Sequence, residues 1–303
     1  MKAASAAGAL IAIALGLAWR AADLPAAEPA VQVWSVQQGG VAHALLALDK
    51  PLATTDGLAT SAATVRLHAL GRDWPVHRAG TRRWEGWIGV DLATKPGDHP
   101  VRWIVGRQRR TQILHVTAGH FRISRITVPR AMAVFDARAL ARIRADHAAL
   151  HRAEQRPVSA RPAFRFRLLP APGVVSTPFG ARRFVNGEPR APHSGLDIAA
   201  AEGTPVLAPM AGRVLMARRM FLSGNTVLVG HGEGLVSIYA HLRALEVHEG
   251  QWLNTGGKIG EVGATGRATG PHLHWGVRFR GARINPAALL PPAPLAAIGL
   301  SND

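Results

Sequence analysis

A chain of 303 residues with 48% hydrophobic side chains has room for two domains with real cores. It contains no cysteine, which excludes a disulfide framework, a thiolate metal site and a cysteine nucleophile. Its formal charge of +17 predicts attraction to polyanions such as wall polymers or anionic lipid, but no DNA- or RNA-binding motif accompanies that charge, so nucleic acid is not an expected partner.

Residues 1–24 read as an export signal. Lys2 precedes an apolar, small-residue run from Ala3 to Trp19, and Ala21-Ala22 and Ala26-Ala27 offer cleavage points. An apolar run of about 17 residues is at the lower limit for a membrane span, so an uncleaved anchor with membrane association is the competing reading. Either reading places the protein outside the cytoplasm, in the periplasm or cell envelope. Without a cysteine there is no lipoprotein attachment.

Residues 25–120 carry short β-type runs at 31–36, 41–48, 65–70, 84–92, 101–105 and 113–116. Turn signals at Gly39-Gly40, Asp56-Gly57, Gly71-Arg72-Asp73 and Pro96-Gly97-Asp98 separate them. The pattern predicts a small immunoglobulin-like β-sandwich serving as a spacer, a binding module or a cover for a groove. Its histidines (His43, His68, His77, His99, His115, His120) have no ligand spacing and read as surface or packing residues. Residues 121–167 read as a basic connector. Asp136 can cap a helix running to about Glu154, with Leu140, Ile143, His147 and Leu150 as its docking seam, and Pro157, Pro162, Pro170 and Pro172 then mark a linker.

Residues 168–290 again alternate short apolar runs (205–209, 212–216, 226–229, 236–239, 273–279) with glycine turns, and 291–303 is a tail. The fold class is therefore all-β: a sandwich, a short helical connector and a β-rich C-terminal domain. Within that domain three histidine clusters fall in about 80 residues. His272 and His274, at i and i+2, share one face of a strand. His193 and Asp197 are about 13 Å apart if extended, so the chain must bend for both to grip one ion, and Gly195 tolerates a bend. His241 ends an apolar strand in Tyr239-Ala240-His241-Leu242. Two imidazoles, one carboxylate and an open fourth position are what a catalytic zinc requires. Spacing alone does not say which member of the His272/His274 pair binds metal. His231 reads as a turn residue in Gly230-His231-Gly232 and His248 as exposed; Glu202 and Glu261 match no ligand position.

The order Thr177-Pro178-Phe179-Gly180, His193-x-x-x-Asp197, Gly224-Asn225-Thr226-Val227, Tyr239-Ala240-His241-Leu242 and Gly263-x-Thr265-Gly266-x-x-Thr269-Gly270-Pro271-His272-x-His274 resembles the lysostaphin-type (LytM-domain) zinc metallopeptidases. The resemblance covers about two fifths of the chain. It implies one zinc held by His193, Asp197 and His274, and an unliganded catalytic pair, His241 and His272. It also implies hydrolysis of peptide bonds in peptidoglycan cross-links or stem peptides, with peptidoglycan as the partner. No His-Glu-x-x-His base is present, so the histidines must move the protons. Ser237, where the family often has threonine, and Trp275-Gly276, in place of Phe-Glu, are departures expected to bear on the substrate groove. Two other readings compete: a non-catalytic relative that binds the wall or activates a separate hydrolase, and a cupin-like oxidase. Against the cupin stand the His193/Asp197 spacing and the order of the motifs.

Overall fold

The computed structural model describes residues 33–50 and 65–298; the export-signal reading falls outside them. No helix among the described residues is long and apolar enough to cross a membrane.

Eight strands make the N-terminal part: β1 (Val33–Gln37), β2 (Val41–Ala47), β3 (Val65–Ala69), β4 (Arg72–Trp74), β5 (Val76–Arg78), β6 (Arg83–Gly89), β7 (Gly97–Val105) and β8 (Gln108–Thr117). They form a five-stranded sheet in the order β1-β8-β7-β3-β4 and a three-stranded sheet β2-β6-β5. Alternation in β3 buries Val65, Leu67 and Ala69, and Gly86 in β6 leaves room for the Leu67 side chain, so the two sheets face one another. Contrary to an all-antiparallel immunoglobulin pattern, β1 pairs parallel to β8. The histidines here pair with carboxylates, His43 with Glu85, His68 with Asp73 and His115 with Asp98, as surface and packing residues should.

The segment read as connector and linker is packed along much of its length. It forms β9 (Ile123–Ile126) and helix α1 (Ala137–Glu154), which Asp136 caps by accepting from the Ala139 amide at 2.7 Å. Of the seam Leu140, Ile143, His147 and Leu150, the second and fourth belong to the docking face of α1, Leu150 packing on the cluster around Leu215 and Met216, and the first and third do not. Leu140 is 42% exposed and His147 is exposed, while Asp146 and Ala153 are buried and Ile143 and Leu150 half-buried. The face is turned toward Asp146 and Ala153, because the helix docks through that acid as well as through Leu150 and Ala153. Asp146 accepts from the Phe221 amide at 2.6 Å. Downstream, Phe164 stacks on Trp87 and Phe166 packs on Trp275.

The C-terminal strands are β10 (Val174–Thr177), β11 (Arg182–Val185), β12 (Glu188–Pro189), β13 (Gly195–Ala199), β14 (Pro205–Leu207), β15 (Gly212–Met220), β16 (Gly224–Gly232), β17 (Leu235–Leu245), β18 (Trp252–Leu253), β19 (Lys258–Val262), β20 (His272–Phe279) and β21 (Ala282–Ile284). The main path of the large sheet runs β10-β13-β20-β17-β16-β15-β18, with β14 and β19 closing over it and β21 beside β20. A second small sheet, β12-β11-β9, joins the former connector to this half. The tail read at 291–303 begins with a short helix, α2 (Pro292–Ala297), and Ile298 is buried, its carbonyl accepting from the Val175 amide at 3.3 Å.

The N-terminal sheets meet this half near the far end of β20. Trp74 packs on Phe279, and Arg283 holds Asp91 through Nη2–Oδ1 at 2.6 Å and Nε–Oδ2 at 3.1 Å. His272 and Phe279 are seven residues apart on one strand, about 23 Å at 3.3 Å per residue, so this junction lies remote from the histidine pair.

His231 is not a turn residue. It lies in β16 at 1% exposure, with Nδ1 2.9 Å from the Ala211 carbonyl and Nε2 2.7 Å from Ser237 Oγ, itself 2.9 Å from the Tyr239 hydroxyl. A carbonyl can only accept, so Nδ1 carries a proton. Burial pushes its pKa down to about 4, against the backbone bond that raises it. A histidine depressed in the folded state is stabilising above its unfolded pKa of about 6.5 and loses that contribution as pH falls toward the folded value. Between pH 7.5 and 5 the loss is about 2 kcal/mol. Urea unfolding of wild type and His231→Gln at both pH values should show wild type losing about 2 kcal/mol more than the variant; equal losses would show that His231 titrates normally.

Candidate metal centre and groove

The centre is set by strand register. Asp197 in β13 lies opposite His274 in β20, and His274 lies opposite Ala240 in β17. Cross-strand partners share a face, so Asp197, His274, Ala240, Ala199 and His272 line one side of the sheet. Leu196, Trp275, Tyr239 and Leu273 line the other and are buried in the core. His193 precedes β13 in a stretch without regular structure, tied down by Gly180 N to His193 O at 2.8 Å and His193 N to Ala181 O at 2.9 Å. The bend that joins His193 to Asp197 therefore comes before the strand. Gly195 is itself a strand residue outside the left-handed region; its lack of a Cβ lets the Trp275 carbonyl and the His274 ring approach, to 2.5 and 2.9 Å of where that atom would be.

His193 Nε2, Asp197 Oδ1 and His274 Nδ1 converge: 2.9 Å for His193–Asp197, 2.8 Å for His274–Asp197 and 3.0 Å between the two nitrogens. His193 Nδ1 is 2.9 Å from the Pro178 carbonyl and must donate to it, which leaves Nε2 as a lone pair aimed at the centre. That is the second-shell arrangement that fixes a ligating imidazole. Two nitrogen lone pairs and a carboxylate oxygen, all buried or nearly so, have no reason to face one another unless a cation lies among them. The donor set fits a divalent metal of the N/O-ligand type with room for further ligands. Among the described residues it is the one His/Asp/Glu cluster with that geometry.

His241 and His272 flank the centre. Their ring centroids are 4.6 Å apart, and His241 lies 6.2 Å from His274. Each is oriented from behind: His241 Nδ1 by the Thr265 carbonyl at 2.8 Å, His272 Nδ1 by the Gly270 carbonyl at 2.9 Å. In both rings Nε2 is therefore the free acceptor. Burial and the neighbouring His274 lower the His241 pKa to about 3, so its imidazole is neutral.

His241 reaches this face through an irregularity. Strict alternation would set it beside Tyr239 and Ser237 in the core. The pairing slips between Asn225/Leu242 and Val227/Tyr239, and His241 takes φ +63°. This is a bulge whose extra residue is left-handed, at a cost of about 1–2 kcal/mol for a residue with a Cβ. The turn after β15 holds the strained residue in place, with His241 N donating to Ser223 O at 2.8 Å. The loop bearing Thr265 is locked to that turn by two glycines. A Cβ on Gly224 would lie 2.4 Å from the Thr265 carbonyl carbon, and one on Gly266 would lie 2.3 Å from the Gly224 amide nitrogen. Asn225 completes the lock, its amide donating to Thr265 Oγ1 at 3.0 Å and its side chain to the Arg243 carbonyl at 3.0 Å.

The five residues line a groove of about 700 Å³ together with Thr177, Pro271, Thr269 and three arginines, Arg183, Arg190 and Arg267. Its outer wall is Ser124, Ile126 and Val128, with His147 from α1. The N-terminal sandwich contributes no residue among those described. Trp275 and Ser237 are fully buried on the opposite side of the sheet, so those two departures alter the core, whereas Gly276 lies on the His274 face, where a Cβ would sit 3.6 Å from His274 Nε2. Sequence reading missed the arginines, which are diluted by arginines elsewhere. It also missed Asp146, which pins the turn carrying Leu222 and Ser223 from beneath; a helical acid resembles any solvated charge.

This β-sheet and donor set define a metallopeptidase fold. Residues 191–286 match Peptidase family M23, and the chain belongs to that family. It is 33% identical to a protein of Pseudomonas aeruginosa assigned to peptidase M23, whose crystal structure superposes with a TM-score of 0.62 over 83% of this chain and 93% of that one. It is 41% identical over 120 residues to the DD-carboxypeptidase/endopeptidase Mpg of Neisseria meningitidis, covering 40% of this chain and 28% of the relative. Over 112 residues it is 41% identical to the peptidoglycan DD-endopeptidase ShyA of Vibrio cholerae, covering 37% of this chain and 26% of the relative. The chain thus spans about a quarter of the length of these curated relatives.

The left-handed bulge makes a direct test. His241→Gly should be more stable in urea than His241→Ala by about 1 kcal/mol, because only alanine keeps the Cβ penalty at positive φ. The opposite order would place His241 in ordinary strand geometry.

Proposed function

We propose that the protein is a zinc-dependent endopeptidase that hydrolyses peptide bonds in peptidoglycan cross-links or stem peptides, acting in the cell envelope. The observation that carries this is the convergence of His193, Asp197 and His274 within 3.0 Å beside a second, unliganded imidazole pair. Peptidoglycan as substrate is supported by the activities named for the matching relatives. The donor set suits zinc, with His193 Nε2, Asp197 and His274 Nδ1 as its protein ligands. When bound, zinc lowers the pKa of a coordinated water and polarises a carbonyl oxygen.

The chain's own residues do the rest. His241 and His272 present free Nε2 atoms to the groove, each held by a backbone carbonyl at the other nitrogen. Neutral at physiological pH, His241 can accept the proton of the attacking water. The Nε2 atom that takes up the water proton then becomes a donor: it can hydrogen-bond the oxygen that gains charge and return the same proton to the leaving amine, with the two rings placed on either side of the scissile bond. The second imidazole pair speaks against the wall-binding, non-catalytic reading, since a binding module has no use for it.

His193→Ala, Asp197→Ala and His274→Ala should each lose most bound zinc and essentially all activity. His241→Ala and His272→Ala should keep zinc while losing on the order of 10²- to 10³-fold in rate. Elemental analysis beside digestion of purified peptidoglycan, with products identified by mass, checks both. Undiminished hydrolysis by a zinc-free ligand variant would overturn the mechanism, and absence of wall products from the zinc-loaded wild type would overturn the substrate.

A further inference from the structure

Three guanidinium groups, those of Arg183, Arg190 and Arg267, line the groove that holds the candidate metal centre. The groove contains one acidic residue, Asp197, whose Oδ2 lies 3.6 Å from Arg183 Nη2 while its Oδ1 faces the two histidines. Among the described residues Arg190 finds a backbone acceptor, the Ala133 carbonyl at 3.2 Å, and no carboxylate. Arg267 is half-buried, and burial followed by the proximity of Arg183 and Arg190 pushes its pKa down. Its backbone is not free to turn away, because Arg267 N donates to Leu222 O at 2.7 Å and Gly266 is locked against Gly224. Elsewhere in the fold partly buried arginines meet carboxylates, Arg283 with Asp91 and Arg278 with Glu154. Here like charges are gathered in one groove, Arg183 and Arg267 half-buried where screening is reduced and Arg190 exposed beside them.

We propose that Arg267, with Arg183 and Arg190, forms a subsite for a free carboxylate of the peptide substrate, close to the bond that is cut. This rests on the peptidase reading above and adds a requirement for an anionic substrate residue. Guanidinium groups match a carboxylate through paired N–H donors. The 3.6 Å separation of Arg183 from Asp197 sets the subsite beside the donor triad, and one residue of extended peptide spans only about 3.5 Å. The carboxylate therefore belongs to a residue at the scissile bond or next to it.

The test compares purified peptidoglycan with the same material after its carboxyl groups are converted to amides. The zinc-loaded wild type should lose on the order of 10- to 100-fold in kcat/KM on the amidated wall, the range of a charge-assisted hydrogen bond. Arg267→Gln and Arg190→Gln should be slow on native wall and nearly indifferent to amidation. Arg109→Gln, which removes the same charge from an exposed position on β8, should discriminate as wild type does. Arg267→Lys should recover part of the discrimination. A second readout needs no turnover: metal-depleted wild type should co-sediment with native wall more strongly than metal-depleted Arg267→Gln, and the difference should vanish on amidated wall. Equal cleavage of both walls by wild type, or full discrimination by Arg267→Gln, overturns the subsite. If native wall is not cleaved at all, the peptidase reading fails and the sedimentation comparison alone decides the subsite.

Discussion

The pairing of Asp197 with His274 across β13 and β20 is the contact from which the rest of the site follows. It places a carboxylate and an imidazole side by side on one face with no freedom to separate, because the same register buries Leu196 against Trp275 and Ile198 against Leu273 on the other face. Slipping the register by one residue would expose Trp275 and Leu273 and drive an aspartate into the core. The hydrophobic core thus holds two polar groups in an arrangement that is unfavourable without a cation.

Around this rigid pair the other groups are held by irregular backbone. His193 stands before its strand, and His241 occupies a left-handed bulge. Both are tethered through carbonyls: Pro178 to His193 and Thr265 to His241. The His241 side is anchored on the turn after β15. Phe221 is bound by Asp146 of α1, Leu222 accepts from Arg267, and Ser223 accepts from His241. One turn thereby connects the helix, the arginine-bearing loop and a candidate catalytic histidine. The strain at His241 is sustained because its surroundings over-determine it.

The N-terminal sandwich touches this half at more than one place. One group of contacts gathers on Phe279, Arg280 and Arg283, at the other end of the strand that starts with His272, while Gly39 packs against the Phe179 ring, next to the Pro178 whose carbonyl tethers His193. The wall of the groove comes instead from the segment after the sandwich, where β9 joins β11. Access to the groove is therefore shaped by a short stretch, Ser124 to Val128, and by one face of α1.

Much of this was legible from residue order. Short apolar runs identified most of the N-terminal strands and, in the other half, β14, β15, β16, β17 and β20, and the helix from Ala137 was readable from Asp136 and the apolar spacing after it, because these signals depend on neighbours a few residues away. His-x-His had to share a strand face for the same reason. What depends on contacts between distant residues was not legible. The burial of His231 follows from Ala211 and Ser237 lying across two strands, and the docking face of α1 follows from the amide of Phe221, 75 residues away. The turn of His241 into the groove requires a two-against-one mismatch with β16 that neither strand encodes by itself. The sequence alone determined which donors exist and that His272 and His274 share a strand face, but not that Asp197 lies in a strand, β13. Only the tertiary structure decided that three of them meet, that two imidazoles flank them and that three arginines face the same groove, because cross-strand register and loop anchoring are collective properties of the packed sheet.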